Sequence, residues 1–558
     1  MIAVMPYSSH HLVKHLLTLC AIAIFVATSC AGATTCTTPT IQTMQGPVCG
    51  LGVQTSSGKT ADAFLGIPFA ETTAQENRWQ PPVPKRPWQA VKQATQFGDI
   101  CPQTPLPFVS GTQPTSEDCL SINVWRPKGV QPGASLPVMA FIYGGNFDSG
   151  SGSAPGLDGA FLAANRDVMV VNFNYRVGAL GFLVYDEISG NYGVLDQQLA
   201  LKWIQQNIAA FGGDPTQVTL FGQSAGAISV MLHLVSAPGS QDLFRAAIVE
   251  SDPASVPFRP QALANQSGTL YAEGLGCQDL SCLQGKTANE IVAAQANAKL
   301  AAFNSALGIQ GSIPWIPSLD GTIVTRQRLD AVAAGALKKP LIIGTNLNEG
   351  TLFVALLKQS LQQQGILPTP DAPINIALYE GMVNGMFGTT NGAKVLQTPA
   401  YQGTQTGDNT PILSQLNTDY LFTCSTRFIA THASDDRYLY QFTHVSSFDI
   451  WKDITNACKD QVCHGDELPY VFHSADEIGA TFTAAEATLS TQIEGYWSSF
   501  ATALAPNTSD TAQPWPSFLP QKTYLVLNTQ MATATDPFAS TCAFWDTIGY
   551  ELPPVHQP

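Results

Sequence analysis

The run Val218-Thr219-Leu220-Phe221 leads directly into Gly222-Gln223-Ser224-Ala225-Gly226, and helix-forming residues follow as far as Leu234. A short apolar run of this kind reads as a buried strand. A strand that turns sharply into a helix exposes a serine at its apex, and the flanking glycines are needed because side chains there would collide across the turn. The five-residue pattern alone is weak, since ordinary Gly and Ser usage gives about a quarter of a chance match in a chain this long. The strand before it and the helix after it single out Ser224 as a candidate nucleophile, against the alternative of a plain turn serine. A serine hydroxyl attacks only when a base takes its proton and fixed donors receive the oxyanion. The backbone N–H of Ala225 is the first such donor.

The remaining donors are expected from Gly144-Gly145-Asn146-Phe147, the sharp turn that ends the apolar run Val138–Tyr143; Gly145 and Asn146 are the candidates. Val168–Asn172, Ala246–Glu250 and Leu341–Gly344 are further buried strands. Residues 196–210 carry Leu199, Trp203, Ile204 and Ile208 at helical spacing, stopped by Gly212-Gly213. Buried strands alternating with helices predict an α/β fold with a mostly parallel central sheet and helices on both faces. The stretch from about 350 to 500 reads as helices and long loops. Although 558 residues could form three average domains, no linker or repeat divides the chain, and 34–558 is expected to be a single domain.

Residues 1–33 read as an export signal: Lys14 and three histidines flank an apolar run from Leu16 to Ala27, too short to span a bilayer. Two processing readings compete. Ala31-Gly32-Ala33 offers an ordinary cleavage site, whereas Ala27-Thr28-Ser29-Cys30 resembles a lipobox ending at Cys30, which would supply the only expected membrane attachment. Of the 12 cysteines, ten lie beyond this leader, an even number that suits an oxidising compartment. No CxxC pair or HExxH run suggests a metal, and no cofactor is expected. A net charge of -15, with 26 Lys+Arg against 41 Asp+Glu, lacks the basic footprint of a nucleic-acid binder.

Around Ser224 the chain resembles the type B carboxylesterase/cholinesterase family, within the α/β-hydrolase superfamily. The similarity runs through Phe64–Ala70, Ser116–Trp125, Asn174–Gly178, Asn191–Gln197, Asn348-Glu349-Gly350, Cys463-His464-Gly465 and Cys542–Trp545. It implies a triad of Ser224, Glu349 and His464, in the chain order used by that fold. It also implies the disulfides Cys101–Cys119, Cys277–Cys282 and Cys424–Cys542, leaving Cys36 with Cys49 and Cys458 with Cys463. Arg78 with Glu117, and Arg176 with Asp196, match its structural ion pairs. Independently of the resemblance, His464 stands in a loop, whereas His444 ends a strand-like run and His556 lies in the tail.

Two positions depart from the family pattern. Gln223 stands where the family usually has glutamate before the nucleophile; it keeps a hydrogen-bonding group and removes the charge. Asn146 replaces the third glycine of the donor loop, and asparagine is the non-glycine residue that best tolerates φ > 0 there. Ser251 aligns with a serine that helps hold the catalytic histidine. The resemblance implies hydrolysis of small-molecule esters. The Cys101–Cys119 loop holds only Phe108 as an aromatic, which argues against a choline-ester specialist. Aryl or short-chain alkyl esters are the leading expectation. An interfacial lipase or polyester hydrolase is the alternative, and a non-catalytic adhesion module the remote one. The sequence leaves the oligomeric state open.

Overall fold

Most strands of the described residues stand in one large sheet, whose central members are apolar on both faces. In the computed structural model, which describes residues 35–295, 314–433, 436–508 and 511–550, eleven strands share that sheet. They are β1 (Leu51–Gln54), β2 (Thr60–Pro68), β3 (Ser121–Pro127), β4 (Leu136–Ile142), β5 (Met169–Phe173) and β6 (Gly213–Gln223). The others are β7 (Ala246–Glu250), β8 (Leu341–Asn346), β9 (Arg437–Phe442), β10 (Thr523–Leu527) and β11 (Ala532–Thr535). The expected leader and Cys30 lie outside the described residues.

The spatial order is β11-β10-β9-β8-β7-β6-β4-β5-β3-β2-β1. From β10 to β5 every neighbouring pair is parallel; β3, β2 and β1 on one edge and β11 on the other are antiparallel. Every residue of β5, β7 and β8 is buried, as parallel strands covered on both faces must be. The α/β-hydrolase sheet expected from the sequence is the one observed. The predicted helix over 196–210 begins earlier, as α1 (Tyr192–Asn207), and tightens to a 3₁₀ turn over Ile208–Phe211.

Topology positions the site. From β4 the chain crosses to β5 on one side and then returns to β6 on the other. The loop after β4 and the turn after β6 therefore emerge side by side where the strand order reverses, the usual place for a ligand crevice in such sheets. Register carries this further: Ile142 pairs with Gly222, Gln223 with Glu250, Glu250 with Gly344, and Asn346 with Phe442. The segments just beyond these pairs line one edge of the sheet. No helix among the described residues is long and apolar enough to cross a membrane.

Candidate active site

Ser224 stands between β6 and α2 (Ala225–Val235) with φ 59° and ψ −123°, a conformation that costs energy for a side-chain-bearing residue and is held only by its surroundings. Its N–H donates to the Glu250 carbonyl at 3.0 Å, and its own carbonyl accepts the Ile228 N–H at 2.9 Å. The glycine requirement is visible in distances: a Cβ at Gly226 would lie 1.9 Å from the Ile142 carbonyl oxygen, and one at Gly222 2.8 Å from it.

The donor loop wraps the same point. A Cβ on Gly144 would lie 2.9 Å from Ser224 Cβ, so the loop backs directly onto the serine. Gly145 has φ +109°, Asn146 φ 57° and Phe147 φ 59°. The Gly145 carbonyl accepts from Asp148 and Ser149 N–H groups, which closes the turn. Among the described residues the N–H groups of Gly145, Asn146 and Ala225 donate no hydrogen bond within the chain. Asn146 is exposed, and its amide reaches Asp148 at 3.3 Å.

Glu349 opens α3 (Glu349–Gln363) just beyond β8 and is fully buried. A helix N-terminus favours a carboxylate, and Glu349 Oε1 accepts the Asn346 N–H at 2.7 Å. Its other oxygen lies 2.6 Å from His464 Nδ1. His464 Nε2 lies 3.1 Å from Gln223 Nε2, and among the described residues no hydrogen bond joins it to Ser224 Oγ. With the ring proton on Nδ1 facing Glu349, Nε2 is an acceptor and the Gln223 amide donates to it.

Sequence reasoning missed several residues that hold this arrangement. The Trp451 indole N–H donates to the His464 carbonyl at 2.9 Å. Asn348 pairs with Val462 through main chain and side chain, tying the Glu349 turn to the histidine loop. Asn346 Nδ2 donates to the Cys463 carbonyl and to Glu467. Phe353 and Phe422 stack on each other, with ring centroids 4.9 and 5.2 Å from the His464 ring. These are a strand-end asparagine, loop residues and lone aromatics without periodicity, so only Phe353, one helical turn after Glu349, carried a signal. The Ser251 hydroxyl is buried without a hydrogen-bond partner, and its N–H donates to the Gly344 carbonyl at 2.9 Å. Ser251 stands on a left-handed backbone at φ 55°.

Behind the dyad lie more buried carboxyls. Burial, then the charge of Glu467, pushes Glu250 up to about 8; burial, then Glu349, pushes Glu467 up to about 7. Burial likewise holds Asp466 well above the carboxylate range, although it accepts the Cys463 N–H. Such groups keep their protons into the neutral range because isolated charges in a dry interior are costly. Trp497 Nε1 donates to Glu250 Oε1 at 2.6 Å. No cluster among the described residues is arranged to hold a metal ion.

Among the described residues five disulfides are formed: Cys36–Cys49, Cys101–Cys119, Cys277–Cys282, Cys424–Cys542 and Cys458–Cys463. Arg78–Glu117 and Arg176–Asp196 are bidentate ion pairs, the first half-buried and the second fully buried.

The profile of the carboxylesterase family matches residues 37–545. The chain belongs to the carboxylesterase family. It is a carboxylic ester hydrolase of the type B group. This carboxylesterase is 36% identical over 509 residues to the "crystal protein" of Dictyostelium discoideum, covering 88% of each chain. It is 34% identical to the cholinesterase of Mus musculus, over 90% of this chain and 86% of that one. Among solved structures, a thermophilic PNB esterase superposes with a TM-score of 0.76 at 29% identity, covering 91% of the carboxylesterase and 100% of the neighbour.

Proposed function

We propose that the protein is an exported serine esterase that cleaves aryl or short-chain alkyl esters through an acyl-enzyme on Ser224. In this reading residues 1–33 are a removable leader, either cut at Ala33 or lipidated at Cys30, and 34–558 are the single catalytic domain. The observation that carries it is the 2.6 Å bond between His464 Nδ1 and Glu349, made beside the strained turn that presents Ser224.

His464 exchanges Gln223 for the serine hydroxyl and takes its proton at Nε2 as Oγ attacks the ester carbonyl. Glu349 holds the ring orientation and stabilises the imidazolium. The N–H groups of Gly145, Asn146 and Ala225 receive the oxyanion. The tetrahedral intermediate collapses, and the leaving alkoxide takes the proton from His464. Water then attacks the acyl-serine carbonyl while giving a proton to the same nitrogen; breaking the acyl–Oγ bond returns that proton to Ser224 and frees the acid.

The short Cys101–Cys119 loop with its single Phe108 supports small acyl and aryl groups over a choline head. A panel of p-nitrophenyl and natural esters run beside Ser224→Ala tests the reading. The variant is expected to lose about three to six orders of magnitude in kcat. Activity retained in Ser224→Ala would overturn the assignment, and palmitate esters above micelle concentration outpacing butyrate would overturn the substrate class.

A further inference from the structure

The histidine loop rests on a small apolar cluster separate from the main core. Leu352, Trp451, Cys458 and Cys463 are its buried members, and Val109 packs against them. Three segments meet there: the helix that starts at Glu349, the loop that ends on His464, and the Cys101–Cys119 loop. Trp451 is the hinge of the contact. Its N–H holds the His464 carbonyl, and its ring flanks Gly465, where an added Cβ would lie 3.4 Å from Cζ2. Phe108 meets the same indole edge-to-face at 6.0 Å, from a left-handed backbone at φ 69° that an aromatic residue rarely adopts.

The other end of the Cys101–Cys119 loop is tied to the oxyanion side. Gln103 makes a reciprocal pair with Gly150, donating to its carbonyl at 2.9 Å and accepting its N–H at 2.7 Å. Ser151 Oγ donates to the Ser110 carbonyl at 2.8 Å. Gly150 follows Ser149, whose N–H and hydroxyl both bond the Gly145 carbonyl. One disulfide-closed loop thus touches the donor turn through Gln103 and the histidine loop through Phe108. The Cys458–Cys463 bridge closes the histidine loop one residue before His464, over a separation of five residues. So short a closure restricts the unfolded chain less than a long one does, and in the folded protein it also braces the loop that carries His464.

We propose that the Cys101–Cys119 loop is a strap that registers the oxyanion donors against the base, with Trp451 as the positioning residue through which it holds His464. The inference rests on the proposed role of His464. Two bodies of chain that must stay aligned within a fraction of an ångström are joined by a third that touches both. Neither Phe108 nor Gln103 contacts His464 or Ser224 through any hydrogen bond or ring contact, so their influence passes through Trp451 and Gly150.

The test compares Trp451→Phe, Phe108→Ala, Phe108→Trp and His464→Ala, measuring kcat and KM on p-nitrophenyl acetate and the rate of labelling by a small fluorophosphonate. Trp451→Phe keeps a ring in the cluster and removes only the donor, so it is expected to melt with the parent. Its kcat and labelling rate should fall together by about tenfold, with KM within twofold, because misplacement of a reacting group is costly even when small. Phe108→Ala should fall severalfold in the same two quantities, and Phe108→Trp should restore them. A raised KM with unchanged labelling would overturn the strap by making Phe108 a substrate contact. Rates within twofold of the parent in Trp451→Phe, with His464→Ala inactive, would overturn the strap and leave the triad standing. An active His464→Ala would overturn both.

Discussion

Gln223 and His464 face each other amide nitrogen to ring nitrogen, 3.1 Å apart, so the atom proposed to take the Ser224 proton is occupied by a donor from the preceding residue. Each turnover must break that contact before the serine can take its place. Methionine has nearly the same volume and cannot donate. Gln223→Met is therefore expected to raise the rate of fluorophosphonate labelling by up to about fivefold, the worth of one modest hydrogen bond near 1 kcal/mol. A slower variant with an unchanged melting temperature would show that Gln223 steers the ring instead of holding it back.

The donor turn has no room at Gly145. A methyl there would lie 2.4 Å from the Ser149 carbonyl oxygen, on a backbone at φ +109°. Gly145→Ala should displace its N–H and lower kcat by about 100-fold or more, in the range found for loss of one oxyanion donor. KM for p-nitrophenyl butyrate should move far less, which steady-state kinetics can read directly.

Glu250 links stability to pH. Burial, and then the Glu467 charge, raises its carboxyl to about 8, against about 4.3 in an unfolded chain. Between those values the folded protein binds a proton that the unfolded one does not, so stability falls as pH rises through the window. Its stabilising contribution is complete below about pH 4 and lost above about pH 8. Trp497, Glu467 and Tyr440 face this carboxyl, and none supplies a cation. Glu250→Gln, which mimics the neutral acid, should melt with the parent at acid pH and about 2 °C or more above it at alkaline pH. Calorimetry at both pH values would check the crossover.

The Cys424–Cys542 bridge spans 118 residues. By chain entropy alone, closing so long a loop is worth about 4–5 kcal/mol. The double variant Cys424→Ala/Cys542→Ala should lose much of this in urea unfolding, whereas removing Cys277–Cys282, separated by five residues, should cost about 2 kcal/mol. Equal losses for the two bridges would mean that native contacts outweigh the chain-entropy effect.

The central sheet was legible because buried parallel strands are apolar on both faces and stand out as continuous runs. Ser224 was legible for a related reason: Gly222 and Gly226 press on the Ile142 carbonyl, and only glycine fits there. Glu349 and His464 carry no such local necessity. They emerge from ordered motifs, and only strand register brings their loops together. Motif matching places the Ser251 hydroxyl but says nothing of its bonding, and in the fold that buried hydroxyl has no hydrogen-bond partner. Trp451 and Gln103 were invisible because their hydrogen bonds go to main-chain atoms of other loops, which leave no trace in composition or period.

Ser224 has a further consequence during synthesis. The donor loop, its own turn, Glu349 and His464 leave the ribosome in that order, widely spaced along the chain, and β10 and β11 follow before the sheet closes. A nascent chain released early would carry a serine on a bent backbone with no imidazole to activate it. In the proposed triad, the appearance of fluorophosphonate labelling therefore times the last folding step, and a pulse-chase with that reagent would count finished molecules rather than polypeptides.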